Sequence, residues 1–134
     1  MKLSSKTITA IKMFIDLGEH YEEGYISLVD IANRKDLSKK FLEQIVPLYK
    51  TNNLLLGNRG NQGGYRLSKA PNQISLKDIV SISELSLEKT SYSDSTITSI
   101  TNDLDNLLDN YLENMTLDKL IEIEQSQYLN NYCI

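Results

Sequence analysis

A carboxylate and an amide side by side, Glu43-Gln44, and an arginine, Arg59, ahead of the glycines Gly60, Gly63 and Gly64 are the residues of this chain best suited to recognition chemistry. A glutamate can accept a hydrogen bond from the exocyclic amine of cytosine, and a glutamine can pair with adenine or reach a phosphate. An arginine suits a narrow, electronegative minor groove. Together they describe a protein that reads duplex DNA in two neighbouring grooves. The plain alternative for Glu43 is a solvated helix residue pairing with Lys39 or Lys40, worth about a few tenths of a kcal/mol. For Arg59 it is a solvated hairpin tip.

The elements that must hold these side chains can be read around them. Ser38 caps a helix whose inner face is Phe41, Leu42, Ile45 and Val46, which leaves Lys39, Lys40, Glu43 and Gln44 outward on its first turns. Proline in a helix interior removes a hydrogen bond and clashes with the previous turn, so a break is expected at Pro47, with a short helix from there to Asn52. Asn53 can take the left-handed conformation that ends it. Leu54–Asn58 and Tyr65–Ser68 read as the strands of a hairpin, with Arg59 to Gly64 as its tip. The glycines let the tip turn tightly and approach a sugar–phosphate wall. Upstream, an apolar stripe of Ile8, Ile11, Met13, Phe14, Ile15 and Leu17 marks a helix from about Ser5 to His20, loosened at its end by Gly18 and Gly24. Ser27 with Asp30 opens a second helix with Leu28, Ile31 and Ala32 inward, and Arg34–Leu37 forms the turn before Ser38. Downstream, Ser75 with Asp78 caps a helix carrying Leu76, Ile79, Val80 and Ile82. The order helix, helix, helix, hairpin is the winged helix-turn-helix arrangement.

Charge is divided along the chain. Residues 1–69 hold 11 Lys/Arg against 7 Asp/Glu, and residues 70–134 hold 3 against 11. A basic half facing phosphate and an acidic half kept away from it would orient the molecule on approach. Lys2, Lys6, Lys39 and Lys40 are phosphate candidates, supplying affinity and salt dependence but no sequence information.

From Thr96 to about Asn114, Ile97, Ile100, Leu104, Leu107, Leu108, Tyr111 and Leu112 recur at helical spacing, with Asp103, Asp105, Asp109 and Glu113 outside. That seam is too apolar to stay exposed. It packs on the winged domain or pairs with a second copy, and paired half-sites on DNA favour the second copy. Thr116 caps a last helix to about Gln125. Glu84–Ser95 has no clear period and reads as a loop.

Other chemistries find little footing. His20 is the only histidine and sits at a helix end, and no serine–histidine–acid set is suggested. The Arg59–Gly64 glycines lack the lysine and hydroxyl residue of a phosphate loop. No catalytic residue, metal site or cofactor is expected. With one cysteine, Cys133, there is no internal disulfide or thiolate metal site. No apolar run approaches about 18 residues and the N-terminus lacks a secretion signal, so a cytoplasmic location is expected.

Residues 1–82, and more weakly the whole chain, resemble the Rrf-two family of bacterial transcription regulators. The resemblance is carried by Met1-Lys2-Leu3-Ser4-Ser5-Lys6, Ser27-Leu28 with Ile31-Ala32, Leu37-Ser38 with Phe41 to Ile45, Pro47-Leu48, Arg59-Gly60 with Gly63 to Leu67, and Ile74 to Ile79, without a gap. It implies a winged-helix homodimer crossing over through a long C-terminal helix. It places Glu43 and its neighbours in the major groove and Arg59 in the minor groove. It also adds Ser5, Ser38, Tyr65 and the glycines Gly60, Gly63 and Gly64 to the backbone contacts. Many members continue Ser-Lys with Gly-Arg-Tyr; Thr7-Ile8-Thr9 here removes a basic residue. Members that hold an iron–sulfur cluster carry three cysteines before the dimer helix, where this chain has none, so no cluster is expected. The cluster-less cysteine-metabolism repressors are similar in length and in Thr116–Leu120 and the Tyr128–Tyr132 tail. Those repressors are signalled through an enzyme of cysteine synthesis, which makes such an enzyme one candidate partner here. A small-molecule or thiol signal read through Cys133 is another.

The sequence thus predicts a mainly α fold with a small β-hairpin wing: a winged domain over 1–83, a loop over 84–95, and a helical dimerisation region with tail over 96–134. The expected function is a homodimeric, DNA-binding repressor of sulfur, cysteine or redox-related genes. The rival is a protein-interaction module whose acidic half binds a partner enzyme.

Overall fold

Five serine or aspartate caps set the frame. In the computed structural model, which describes residues 2–61, 63–84 and 90–132, Ser4 caps α1 (Ser5–Glu19), Ser27 caps α2 (Leu28–Lys35) and Ser38 caps α3 (Lys39–Thr51), each serine hydroxyl accepting from the backbone N–H three residues on. Asp94 caps α5 (Ser95–Asn114) by accepting from Thr96 N and Ile97 N. Ser75 opens α4 (Leu76–Ser83) with a full capping box, Ser75 N donating to Asp78 and Asp78 N to Ser75 Oγ. Between α3 and α4 lies an antiparallel hairpin, β1 (Leu55–Asn58) and β2 (Gly64–Leu67), with Gly57 opposite Tyr65. The chain ends in α6 (Leu117–Tyr132).

One core serves α1 to α4, the hairpin and the start of α6. Phe14, Leu42, Ile45, Tyr49, Ile74, Ile79 and Leu117 are all fully buried in it. Phe14 and Tyr49 meet edge to face at 4.9 Å, and the Tyr49 hydroxyl donates to Ile79 O at 2.8 Å. Aromatic burial of this kind contributes more than area alone.

Several expectations are corrected. Pro47 does not break α3, which runs through it. The carbonyl that loses its donor belongs to Glu43, an exposed residue, so water can satisfy it. Buried Ile45, Val46 and Tyr49 on either side hold the helix against the core. Arg34 and Lys35 form the last turn of α2 rather than the connecting turn. Gly18 lies inside α1, where it gives α6 a close seat: a Cβ there would stand 2.7 Å from the Ile121 side chain. The stripe of α1 is also shifted, with Ile8 at 43% exposure and Thr7, Thr9 and Asp16 buried instead. In α2, Ile31 and Ala32 are buried and Leu28 only partly so. The last helix continues past Gln125 through Tyr132, because no glycine or proline follows Thr116 to stop it. Asn53 does adopt a positive φ of 62°. Of the expected loop, residues 85–89 lie outside the described residues, as does Cys133.

α6 is stitched back onto the winged domain. Leu76 N donates to Met115 O and Leu117 N to Ile74 O, an antiparallel bridge between the approaches to α4 and α6. Lys35 of α2 reaches Glu19 of α1 at 2.7 Å and Glu124 of α6 at 2.6 Å. Lys77 of α4 reaches Asp109 and Glu113 of α5 at 2.8 and 2.9 Å, so part of the acidic face of α5 is engaged by α4 while its carboxylates stay about half exposed.

These contacts predict a fold that weakens in alkali. Burial pushes the Tyr49 phenol above its ordinary value. For Lys35 burial works against the charge, but the hydrogen bonds to Glu124 and Glu19 outweigh it and hold the ammonium above its ordinary value. A raised group stabilises the fold below its unfolded value, and that contribution fades as pH climbs through the raised one. Urea melts should show stability falling as pH climbs above about 10, and Tyr49→Phe should flatten the decline. An alkaline limb as flat in wild type as in the variant contradicts this account.

Candidate nucleic-acid interface

The turn between α2 and α3 is three residues long and locally determined. Asp36 takes the left-handed conformation, φ 53° and ψ 54°, which a short polar side chain tolerates. Leu37 N then donates to Ala32 O, closing the end of α2, and Ser38 Oγ accepts from Phe41 N at the start of α3. With Leu42, Ile45, Val46 and Tyr49 buried, α3 has no rotational freedom about its axis. Lys39, Lys40, Glu43 and Gln44 are therefore held outward, all exposed. Lys39 Nζ lies 3.7 Å from Glu43 Oε1 with both side chains about half in water. Such a pair contributes little and does not lock Glu43 away from another partner. The plain reading of Glu43 thus has a contact behind it, but a weak one.

The wing presents Arg59 at an exposed position, and among the described residues it makes no ion pair. The same holds for Lys2, Lys6 and Lys40. Among the described residues their charge is uncommitted. Gly60 has φ 124°, a conformation that favours glycine. The other two glycines have internal reasons that sequence reasoning did not supply. A Cβ on Gly63 would stand 2.7 Å from Asn58 O and 2.8 Å from Gly60 O. One on Gly64 would collide with the Ile26 carbonyl and stand 2.9 Å from Ser27 N. The second collision arises because β2 gains a second neighbour on its other edge: Ile26 N donates to Tyr65 O at 2.9 Å and Tyr65 N to Ile26 O at 2.8 Å. Gly63 and Gly64 are thus required by the wing itself. Gln62 lies outside the described residues.

At the start of α1, Lys2 and Ser5 are exposed and Lys6 half-buried. Ser4 N and Thr7 Oγ1 donate to the Glu84 carboxylate at 2.9 and 3.0 Å, and Thr7 Oγ1 lies 2.8 Å from Ser83 Oγ. A carboxylate at a helix N-terminus meets unpaired N–H groups and a favourable dipole. This joins the end of α4 to the beginning of α1, a link the serine and threonine spacing did not announce. Ile8 occupies the place of the basic residue that the resemblance leads one to expect, and it faces solvent.

The turn also rests on an ion pair that sequence reasoning missed. Arg34 Nε and Nη2 donate to the two oxygens of Asp16 at 2.8 and 2.9 Å. Asp16 is wholly buried, whereas Arg34 is about a third exposed. The hydrogen bond to Asp16 holds the guanidinium above its ordinary value. An aspartate interrupting an apolar stripe with an arginine two turns into the next helix was the available signal.

The seam of α5 divides. Leu112 is buried, and Leu108 is half-buried in an apolar hollow with Leu3, Ile11, Leu76 and Val80. Ile97, Ile100, Leu104, Leu107 and Tyr111 are 45–67% exposed. So the C-terminal end of the helix packs on the winged domain, with Tyr111 at the edge of that hollow, and Ile97, Ile100, Leu104 and Leu107 are left exposed.

A capped helix-turn-helix followed by a wing braced against Ile26, with exposed cations on both, defines a winged helix-turn-helix transcription regulator. Residues 3–123 match the Rrf2 (Rrf-two) family model, described as an iron-dependent transcriptional regulator, and the chain belongs to that family. The HTH-type transcriptional regulator IscR of Pectobacterium carotovorum subsp. carotovorum is 32% identical over 130 residues, covering 90% of this chain and 79% of that protein. Among solved structures, CymR, the global cysteine regulator of B. subtilis, superposes with a TM-score of 0.84 at 26% identity, covering 92% of this chain and 98% of that one. IscR of T. potens superposes with a TM-score of 0.80 at 30% identity, covering 92% and 88%. The relatives are regulators of transcription and not enzymes.

The iron in the family description does not fit the donors of this chain. A thiolate-held cluster needs several cysteines, and the whole sequence has one, Cys133. Among the described residues, no group of three or more His, Cys, Asp or Glu side chains could hold a metal ion. Nor, among them, is any helix long and apolar enough to cross a membrane.

Proposed function

We propose that the chain is a homodimeric, sequence-specific repressor that lays α3 in the major groove and the wing in the adjacent minor groove of a palindromic operator. The observation that carries this reading is the pairing of two exposed recognition surfaces on one mount: Lys39, Lys40, Glu43 and Gln44 on the first turns of α3, and Arg59 on the wing. Glu43 and Gln44 read bases in the major groove and Arg59 enters the minor groove. Lys2, Ser5, Lys6, Ser38, Lys39 and Lys40, with Tyr65 and the wing glycines, grip the backbone. Ile97, Ile100, Leu104, Leu107 and Tyr111 pair the protomers, with Leu108 at the margin. In this division residues 1–83 read DNA and the region from residue 96 assembles the dimer. The protein works without a cluster in the cytoplasm. Similarity to a global cysteine regulator supports sulfur or cysteine genes as targets.

The test uses a duplex enriched by the protein from a randomised pool. Anisotropy should show affinity falling on the order of 10³-fold between about 50 and 200 mM salt, as several phosphate contacts per protomer require. Glu43→Ala should leave that slope in place and relax preference at one base pair per half-site, by about 1–3 kcal/mol. Binding indifferent to both salt and the substitution would remove the reading. The acidic α6, with Ile123, Tyr128 and Leu129 exposed, would then favour the rival function, docking of a partner enzyme.

A further inference from the structure

Lys50 leaves the last turn of α3 and sets its ammonium over the ring of Tyr65 on β2, 5.9 Å from the centroid. Gly57 lies across the hairpin from Tyr65. A Cβ on Gly57 would stand 3.1 Å from Lys50 Nζ and 3.2 Å from Tyr65 Cε1. The bare glycine backbone is thus the floor on which the cation and the ring meet. On its other side Tyr65 exchanges both backbone hydrogen bonds with Ile26. The root of the wing is therefore held from two directions, by the strand-like segment before α2 and by the C-terminal end of α3. Lys50 is exposed and makes no ion pair among the described residues, so its charge has no other engagement there.

We propose that Lys50 is a positioning residue: with Tyr65, and in the space that Gly57 leaves, it couples the helix that reads the major groove to the wing that carries Arg59. The proposal rests on the DNA-binding reading above. A two-stranded hairpin is marginal alone and needs something to fix its direction. Arg59 lies beyond the pair Gly57–Tyr65 by two residues, roughly 7 Å of strand. A small tilt at the root therefore moves the guanidinium by an appreciable part of a groove width. Ile26 fixes the hairpin edge, Leu54 N donating to Tyr49 O fixes where the chain leaves α3, and Lys50 adds a side-chain tie from the helix that presents Glu43 to the ring on the second strand. The span between the two reading groups, and so the register between grooves, is set there. A cation over a ring does this without locking the hairpin, so the wing keeps enough play to enter the groove after α3 is seated.

The rival role for Lys50 is a phosphate contact, and three substitutions separate the two. Lys50→Met removes the cation, Tyr65→Leu removes the ring and is scored against Tyr65→Phe, which loses only the hydroxyl that could grip the backbone, and Gly57→Ala keeps both but displaces the ammonium from the ring. A clamp makes all three alike. Each should weaken binding to the enriched duplex by about three- to tenfold and lower preference at the base pairs that Arg59→Ala also affects, with the salt slope unchanged. Lys50→Met with Tyr65→Leu should be no worse than either alone. Lys50→Met should cost nothing further in an Arg59→Ala background, because a positioning residue acts only through the group it positions. Lys50→Arg should recover most of the affinity. In the free protein, wing amides should exchange faster in Lys50→Met while the urea midpoint stays put.

A phosphate role predicts loss in Lys50→Met alone, a salt slope lowered by about one ion, and full additivity with Arg59→Ala, any of which overturns the clamp. Unchanged exchange at the wing overturns it as well. Failure of the wild-type chain to enrich any duplex would instead defeat the functional reading, and the exchange measurement would still judge the clamp.

Discussion

Arg34→Ala should lower the unfolding free energy by about 2–4 kcal/mol, measured by urea denaturation near neutral pH. The cost arises from what is left behind. Asp16 is wholly buried on the inner face of α1, and Arg34 satisfies both of its oxygens. Removing one partner of a buried pair strands a charge, at about 3–5 kcal/mol where neither group meets water. Arg34 is partly solvated, and water entering the vacated space will recover some of that, which sets the lower figure. The sign of a second experiment is more diagnostic than the size of the first. Asp16→Leu combined with Arg34→Met replaces both charges by apolar volume and should be less damaging than Arg34→Ala alone. A double variant worse than the single one, or an Arg34→Ala chain with an unchanged midpoint, would show that the pair does not hold α1 to α2. The consequence reaches the interface, because α2 and its turn fix the direction of α3.

Leu104→Glu with Leu107→Glu should convert the protein to a monomer and weaken operator binding on the order of 10²-fold or more. These leucines are 59% and 67% exposed in the single chain, so the substitutions leave its own core intact. In the proposed dimer they are the centre of the seam, where each buried leucine contributes about 1.5–3 kcal/mol. Charges facing their symmetry mates there add repulsion. Two linked half-sites bind more tightly than one because the second contact is made at high effective concentration, and separating the protomers forfeits that gain. Sedimentation velocity and anisotropy on the enriched duplex should change together. A dimer that survives both substitutions would locate the two-fold elsewhere. A monomer with unaltered affinity would mean that one half-site suffices.

The reading surface was legible in sequence for a physical reason. Caps, tight turns and amphipathic periods are short-range effects, so Ser27, Ser38 and Ser75 mark their helices and Asn53 its left-handed turn. Lys39, Lys40, Glu43 and Gln44 are outward because Leu42, Ile45 and Val46 are inward, a statement about one helix and its own spacing. Arg59 is exposed because a hairpin tip has nowhere else to point. Pro47 misled because a local rule, loss of one hydrogen bond, was outweighed by the packing of Tyr49 and its neighbours. Gly18 looked like a loosened helix end because its reason, the Ile121 side chain, lies far along the chain.

Local chemistry alone thus determined the kind of elements, their order and the groups that face solvent on α3 and the wing, while the family was carried by resemblance of residue motifs. What the folded chain decided was every pairing across distance. Asp16 with Arg34, Lys35 with Glu19 and Glu124, Glu84 under the start of α1, Gly64 against Ile26, and Lys50 over Tyr65 join elements that no periodicity connects. A residue's spacing reports the face it occupies, but its partner is chosen by how the faces stack. In this protein that stacking brings α6 back to α1, divides the stripe of α5, and ties the wing to the helix beside it.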